Sequence, residues 1–298
     1  MTITMERIYF NMTSQQWASL GFTVMGASHK KKGTPNQDAV CFGDGPTFVA
    51  VSDGHGAKKY IRSHLGSFFA VNCIKEVLKQ CTPLNTSMKD INPYILHIKS
   101  RFLLSWQQSI DNDLHTNPFT DDENSFLVSN CSQKEIESIK TNPRLAYGCT
   151  FLCAVVYNNL ILILHHGDGD ILGIYGDTVQ DIVQWDNRNF AGNTLSLGSL
   201  KDAQEMGHQI LTDDSLPSLI TISTDGIKNS YNDKIKSEIE QFYKIPIAIS
   251  MALKEECDIS YDIQNLLTKI TTNGSGDDVT LGILYNMQYR NFTKQVLN

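Results

Sequence analysis

Four aspartates sit beside glycine where an apolar run meets a turn: Asp53 in Val51-Ser-Asp-Gly-His-Gly56, Asp168 in Gly167-Asp-Gly-Asp-Ile171, Asp225 in Ser223-Thr-Asp-Gly226 and Asp277 in Gly276-Asp-Asp-Val-Thr280. One Asp-Gly at a strand end reads as a turn, because Gly takes positive φ and Asp caps its own backbone. Four of them, each against an apolar strand, read as a set of hard oxygen ligands. Without an accompanying CxxC or paired-His ligand set, they suit Mg²⁺ or Mn²⁺ rather than zinc or copper. Two such ions about 3.5–4 Å apart can bind a bridging hydroxide and neutralise a phosphoryl group under in-line attack. Other chemistries fit less well. Asp168-Gly-Asp170 begins like a calcium loop, but its fifth position is Leu172 and its twelfth Val179, where a bidentate Glu is needed. Neither a Gly-x-x-x-x-Gly-Lys-Ser/Thr phosphate loop nor a Gly-x-Ser-x-Gly elbow occurs. His165-His166 offers two metal-ligand imidazoles, but as a strand end the pair reads rather as packed or solvated.

Strands must position these aspartates. From Phe22 to Asp53 short apolar segments separated by Gly, Pro, Asn and Asp predict a strand meander. Ile61, Leu65, Phe68, Phe69, Cys73 and Val77 recur at helical intervals and predict a helix over 57–80, stopped by Pro83. Asn92-Pro93 reads as the N-cap and first position of a second helix carrying Ile95, Ile98, Phe102, Trp106 and Ile110. Residues 111–144 are rich in Asn, Ser, Thr and Asp and are the most insertion-like part; Ser132-Gln-Lys-Glu within them is a capping box that opens a short third helix. Residues 150–157 and 160–165 predict a hairpin turned by Asn158-Asn159. Strands over 171–175, 179–184 and 219–223, a helical stretch over 245–270 and a closing strand over 279–285 complete the chain. This order favours a sheet-rich α+β layer structure over a regularly alternating parallel sheet.

With 298 residues, 41% of them hydrophobic and 19% charged, the chain has the balance of a globular protein. Twenty-five Lys and Arg against 32 Asp and Glu leave a net charge of −7, the wrong sign for a sequence-independent nucleic-acid binder. That charge also disfavours a metal-dependent nuclease or phosphodiesterase. The apolar run 151–164 is broken by two asparagines and is shorter than the ~20 residues of a membrane span. No signal-peptide-like run opens the chain, so the expectation is a cytoplasmic protein with neither membrane nor nucleic-acid partners. Seven cysteines, an odd number without a CxxC pair, predict reduced and mostly packed thiols.

Taken in order, Asn36-Gln-Asp-Ala39, Val51-Ser-Asp-Gly-His-Gly56, Gly148-Cys-Thr150, Gly167-Asp-Gly-Asp-Ile171, Ser223-Thr-Asp-Gly226 and Asp277-Asp-Val-Thr280 extend through residues 22–285. This succession resembles the PPM-type (type 2C) metal-dependent Ser/Thr protein phosphatases in their bacterial form. Gly26-Ala-Ser-His29 leading to Pro35-Asn-Gln-Asp38 is similar to one bacterial subgroup. The resemblance implies two antiparallel β-sheets packed as a sandwich, with helices on both outer faces. It implies one catalytic domain over 1–298, its motif-bearing core at about 22–286. The implied activity is hydrolysis of phosphoserine and phosphothreonine in proteins by a hydroxide bridging two Mn²⁺ or Mg²⁺ ions, with no covalent phosphoenzyme. Its partners would be phosphorylated substrates of a Ser/Thr kinase. By position, Asp53 would bridge both ions, the Gly54 carbonyl would bind the first, and Asp225 and Asp277 would complete the second. Asp38 would hold metal-bound water, and Asp168 with Asp225 would support a third, weaker ion. His55 matches a histidine proposed as general acid in some members, a role open to an imidazole with a reference pKa of ~6.5; the other reading is that it simply follows a tight turn. Residues 193–198 fall where the family has a flap beside the active site.

Four positions depart from the family. Gly33 stands where an Arg usually grips the phosphate bidentately, so His29, Lys30, Lys31 or Lys32, with Arg62, is expected to supply the charge. The other reading of that stretch is a solvated basic loop. Gln37 replaces a metal-binding Glu of eukaryotic members, and Gly169-Asp170 stands in place of the Ser-Arg in the family's Gly-Asp-Ser-Arg. The departures leave a second function open, a catalytically weak or inactive phosphatase fold serving as a phosphoprotein sensor or scaffold.

Overall fold

The computed structural model describes residues 17–81, 91–157, 160–183, 195–212, 216–232, 234–254 and 259–287. Its strands form two five-stranded sheets. The first runs β1 (Trp17–Val24), β10 (Val279–Asn286), β9 (Leu219–Ser223), β6 (Asp170–Tyr175), β7 (Thr178–Asp181). The second runs β2 (Ala39–Asp44), β3 (Thr47–Ser52), β4 (Phe151–Tyr157), β5 (Leu160–His166), β8 (Gly207–Thr212). Every pairing is antiparallel.

The two-residue period of the strands sorts apolar side chains into three layers. Val49 and Val51 of β3, Leu152 and Ala154 of β4, Ile161 and Ile163 of β5, and Ile220 and Ile222 of β9 fill the space between the sheets. The alternate residues Phe48, Ala50, Cys153, Val155, Leu162 and Leu164 join Ile74 and Val77 of α2 (Ser63–Gln80) and Phe102 and Trp106 of α3 (Ile91–Thr116). Leu281 and Ile283 of β10 pack with Ile245 and Ile249 of α7 (Lys236–Lys254) and Leu267 and Ile270 of α8 (Ser260–Asn273). The result is the expected α-β-β-α sandwich.

Local departures have tertiary causes. The helix expected over 57–80 starts only at Ser63, because the Arg62 N–H donates to the Ala146 carbonyl at 2.9 Å and residues 57–62 remain as turns. Asn92 lies inside α3 rather than capping it. The stretch 245–270 divides into α7 and α8, and α7 begins nine residues earlier than expected, at Lys236. The segment 111–144 carries the end of α3 and two short helices, α4 (Asp121–Asn130) and α5 (Gln133–Thr141). Both have full capping boxes, Thr120 with Glu123 and Ser132 with Glu135. The short α1 (Ala27–Lys32) and edge strand β8 were not expected, since neither carries an apolar period of useful length.

Strands β4 and β5 pair in the expected register, Tyr157 opposite Leu160, while Asn158 and Asn159 lie outside the described residues, as does Pro83. Of the cysteines, six are described and none is in a disulfide. Among the described residues no helix is long and apolar enough to cross a membrane.

Candidate metal and phosphate centre

The aspartate-bearing strand ends are fastened to one another by backbone and hydroxyl contacts. At the end of β3, the Ser52 hydroxyl donates to the Thr150 carbonyl at 2.5 Å, the Asp53 N–H donates to Thr150 Oγ1 at 3.0 Å, and the Thr150 N–H donates to the Asp53 carbonyl at 2.8 Å. Gly54 N–H donates to the Gln37 carbonyl at 3.0 Å and His55 N–H to the Gly148 carbonyl at 3.1 Å. From the other sheet, the Thr224 hydroxyl donates to Asp38 Oδ2 at 2.7 Å and accepts from the Thr280 N–H at 3.0 Å. Asn36 Oδ1 accepts the Asp38 N–H at 3.0 Å, while its amide donates to Thr23 at 2.9 Å. Asp225 opens the single turn α6 (Asp225–Lys228), and Asn229 donates to its Oδ2 at 2.9 Å.

These contacts gather Asp38, Asp53 and Asp225 at one end of the sandwich. Burial, followed by the charges of Asp278 and Asp225, holds Asp38 well above the ordinary carboxylate range. Burial, followed by the charges of Asp38 and Asp225, does the same to Asp53. Asp225 is raised by burial and then by Asp168 and Asp277. The Asp53 and Asp225 carboxyls are direct neighbours in this cluster. Carboxyls so placed need a shared proton or a cation between them. This all-oxygen donor set therefore fits Mg²⁺ or Mn²⁺.

Asp278, passed over in the sequence in favour of Asp277, is the buried partner of the loop preceding β2. Its Oδ1 accepts the Gly26 N–H at 2.6 Å, and its Oδ2 accepts the Gln37 N–H at 2.6 Å and lies 2.8 Å from His29 Nδ1. His29 Nε2 is turned toward Asp277, 3.9 Å from its Oδ1. The side chains of His29, Asp277 and Asp278 thus bring ligand-type atoms within 4.8 Å of one another. Thr150 and Thr224 were also missed as site residues. The signal available was their place inside the Gly-Cys-Thr and Ser-Thr-Asp-Gly motifs.

The basic residues separate into two groups. His29 and Lys32 line a cleft of about 490 Å³ that also touches Gln37 and Gly56, whereas Lys30 and Lys31 are exposed on the last turn of α1. Arg62 is not among the phosphate-facing cations and corrects the expectation. It is buried, donates from Nε and Nη2 to both Glu123 oxygens at 2.7 Å, and turns Nη1 to Asp113 at 3.2 Å and to Tyr147 at 2.8 Å. Gly33 ends α1 with φ +70°, so an arginine there would be strained in the left-handed region.

His55 stacks on Tyr60 with ring centroids 4.7 Å apart. Burial, then Lys59 and His166, lowers its pKa to about 4, leaving it neutral at pH 7. Asp170 is buried and pairs with Lys228 at 2.7 Å; burial raises it to about 6 against the pull of that cation. Gly169 leaves no space for the family's serine, since a Cβ there would run into the Ser223 carbonyl. Asn193 and Thr194 of the flap stretch lie outside the described residues, and Leu197 bonds to Cys149 behind Gly148.

The same fold occurs in solved bacterial phosphatases. PppA, a regulatory component of T6SS in Pseudomonas aeruginosa, is 14% identical with a TM-score of 0.58, over 90% of this chain and 97% of its own. Serine/threonine phosphatase Stp1 from Staphylococcus aureus is 15% identical with a TM-score of 0.55, over 94% and 98%. The catalytic domain of the serine/threonine protein phosphatase PstP, solved with two manganese ions, is 12% identical with a TM-score of 0.52, over 90% and 97%. A comparison with curated proteins finds no sequence match. The family model described as protein phosphatase 2C matches residues 25–254, and the chain belongs to that family.

Proposed function

We propose that this protein is a single-domain phosphatase that hydrolyses phosphoserine and phosphothreonine in proteins, using two Mn²⁺ or Mg²⁺ ions. The observation that carries the reading is the convergence of Asp38, Asp53, Asp168, Asp225 and Asp277 in one mutually repelling cluster beside a cleft that offers His29 and Lys32. Asp53, the Gly54 carbonyl, Asp225 and Asp277 would hold the two ions, and Asp168 with Asp225 would offer a weaker third place. When bound, such ions lower the pKa of water and neutralise charge on a phosphoryl group.

The protein's own groups supply the rest. Asp38, fixed by Thr224, accepts a hydrogen bond from the attacking water and sets its line of approach. His29, fixed by Asp278, and Lys32 receive the phosphate oxygens in place of the family's arginine, while Lys30 and Lys31 add to the local field. His55 packs the loop through Tyr60. The substrates are phosphoproteins made by a Ser/Thr kinase, and the setting is cytoplasmic.

The test is hydrolysis of a phosphothreonine peptide with Mn²⁺ or Mg²⁺, with chelator, and in Asp53→Asn. Turnover that needs metal and is lost in the variant is expected; full turnover in Asp53→Asn would sink the mechanism. Gly33 favours a second reading, a phosphoprotein sensor, because bidentate phosphate capture is missing there. Phosphopeptide affinity without turnover in metal-loaded protein would select it.

A further inference from the structure

The turn that follows the Asp53 loop is fastened to the segment bearing α4 and α5 at three points. Arg62 holds Glu123, Lys58 Nζ lies 5.5 Å from the Phe126 ring centroid, and Lys59 Nζ lies 3.8 Å from Glu135. The turn and α4 thereby become two walls of the cleft that reaches His29, Lys32 and Gln37. A phosphate held at the His29 end leaves the neighbouring substrate residues between these walls. The space of about 490 Å³ is within the range of built ligand sites.

The lining states what fits. Phe126 is 41% exposed and faces the cleft with Ile61 and Pro35, an apolar patch beside the site. The charged lining consists of Lys32 and Lys58 with Asp122 and the Arg62-bound Glu123. Of these cations Lys58 lies beside the apolar patch, its Nζ 5.5 Å from the Phe126 ring centroid.

We infer that α4 is a substrate-reading wall, and that the cleft takes an extended phosphopeptide with an apolar residue beside the phosphorylated one and an acidic residue beyond it. The apolar side chain seats against Phe126, Ile61 and Pro35, and the acidic one meets Lys58. This inference rests on the phosphatase reading above.

The experiment compares, with Mn²⁺ present, p-nitrophenyl phosphate and three phosphothreonine peptides whose two following residues are Leu-Glu, Gly-Glu or Leu-Lys. Wild-type protein should favour Leu-Glu over each of the others by about tenfold in kcat/KM, the discrimination a single apolar or charged contact gives. Phe126→Ala should bring the Leu-Glu to Gly-Glu ratio below about threefold, and Lys58→Glu should invert the Leu-Glu to Leu-Lys preference. Because each ratio is taken within one variant, a change in overall rate does not disturb it. Turnover of all substrates without preference, or ratios unchanged in both variants, would overturn the reading wall alone. No turnover of any substrate would overturn the phosphatase reading and this inference with it.

Discussion

Replacing Arg62 with methionine keeps an unbranched apolar stem and removes the guanidinium, which tests whether this cation serves the fold or the phosphate. In the fold it donates to two carboxylates, to the Tyr147 hydroxyl and to the Asn117 and Pro118 carbonyls at 2.7 and 3.1 Å, and it lies 4.9 Å over the Phe119 ring. Its side chain is 7% exposed, against 25% for Glu123 and 14% for Asp113. Removing one partner of a buried pair costs about 3–5 kcal/mol, because the remaining charge is left uncompensated. Glu123 can rehydrate through its exposed edge, and Tyr147 still donates to Asp113 at 2.6 Å, so the low end applies. We therefore expect a loss of about 3 kcal/mol. With an unfolding entropy of about 2.1 cal/mol/K per residue, that loss lowers Tm by about 5 °C in a chain of this length.

Thermal unfolding followed by circular dichroism measures this shift, and a double-mutant cycle with Glu123→Gln isolates the pair, with coupling of about 1–3 kcal/mol expected. The pH dependence has a definite sign. Arg62 holds Glu123 below the ordinary glutamate range, so the pair contributes fully above the unfolded value of about 4.3 and its contribution fades as pH falls through the lower folded value. The Tm difference between wild type and variant should shrink accordingly in acid. A Tm within about 1 °C of wild type, joined to a tenfold rise in KM for a phosphopeptide, would refute the structural assignment and return Arg62 to phosphate binding.

Three further outcomes follow from the site. Since Asp53 is held above the ordinary range, the fold binds more protons there than the unfolded chain does; Asp53→Asn should therefore raise the Tm of chelator-treated protein, more at pH 7.5 than at pH 5, and a gain independent of pH would count against the crowded-carboxylate account. Lys228→Met removes the cation from buried Asp170, whose folded pKa of about 6 would then rise further; a loss of about 2 kcal/mol at pH 7.5, discounted because Lys228 is itself partly exposed, should diminish on acidification in chemical denaturation. Gly33→Arg should lower stability by about 1 kcal/mol without improving KM, because φ +70° disfavours a side chain; a marked fall in KM would show that the backbone readily relaxes to the family's arrangement.

The layered fold was legible because period-2 apolar strands and period-3.6 helices follow from local chemistry, as in Val49 and Val51 against Phe48 and Ala50. The aspartates were legible for a related reason: each stands in a short motif at a strand end, where turn chemistry and ligand chemistry both leave their mark. Helix starts were less so, since Arg62 N–H reaches Ala146, a partner 84 residues away that no local window contains.

The sequence by itself determined most of the strand pattern, the capping box at Ser132, the negative charge and the identity of most of the clustered carboxylates. Only the tertiary structure decided how the charges are paired. It buried Asp278 under two backbone N–H groups and His29 while leaving Asp277 at the surface, and it turned Arg62 inward to Glu123 while leaving Lys32 at the cleft. Adjacent aspartates are chemically identical in a sequence, and so is an arginine in a cleft or beneath a helix. Burial and the reach of a partner distinguish them, and both are set by segments distant along the chain.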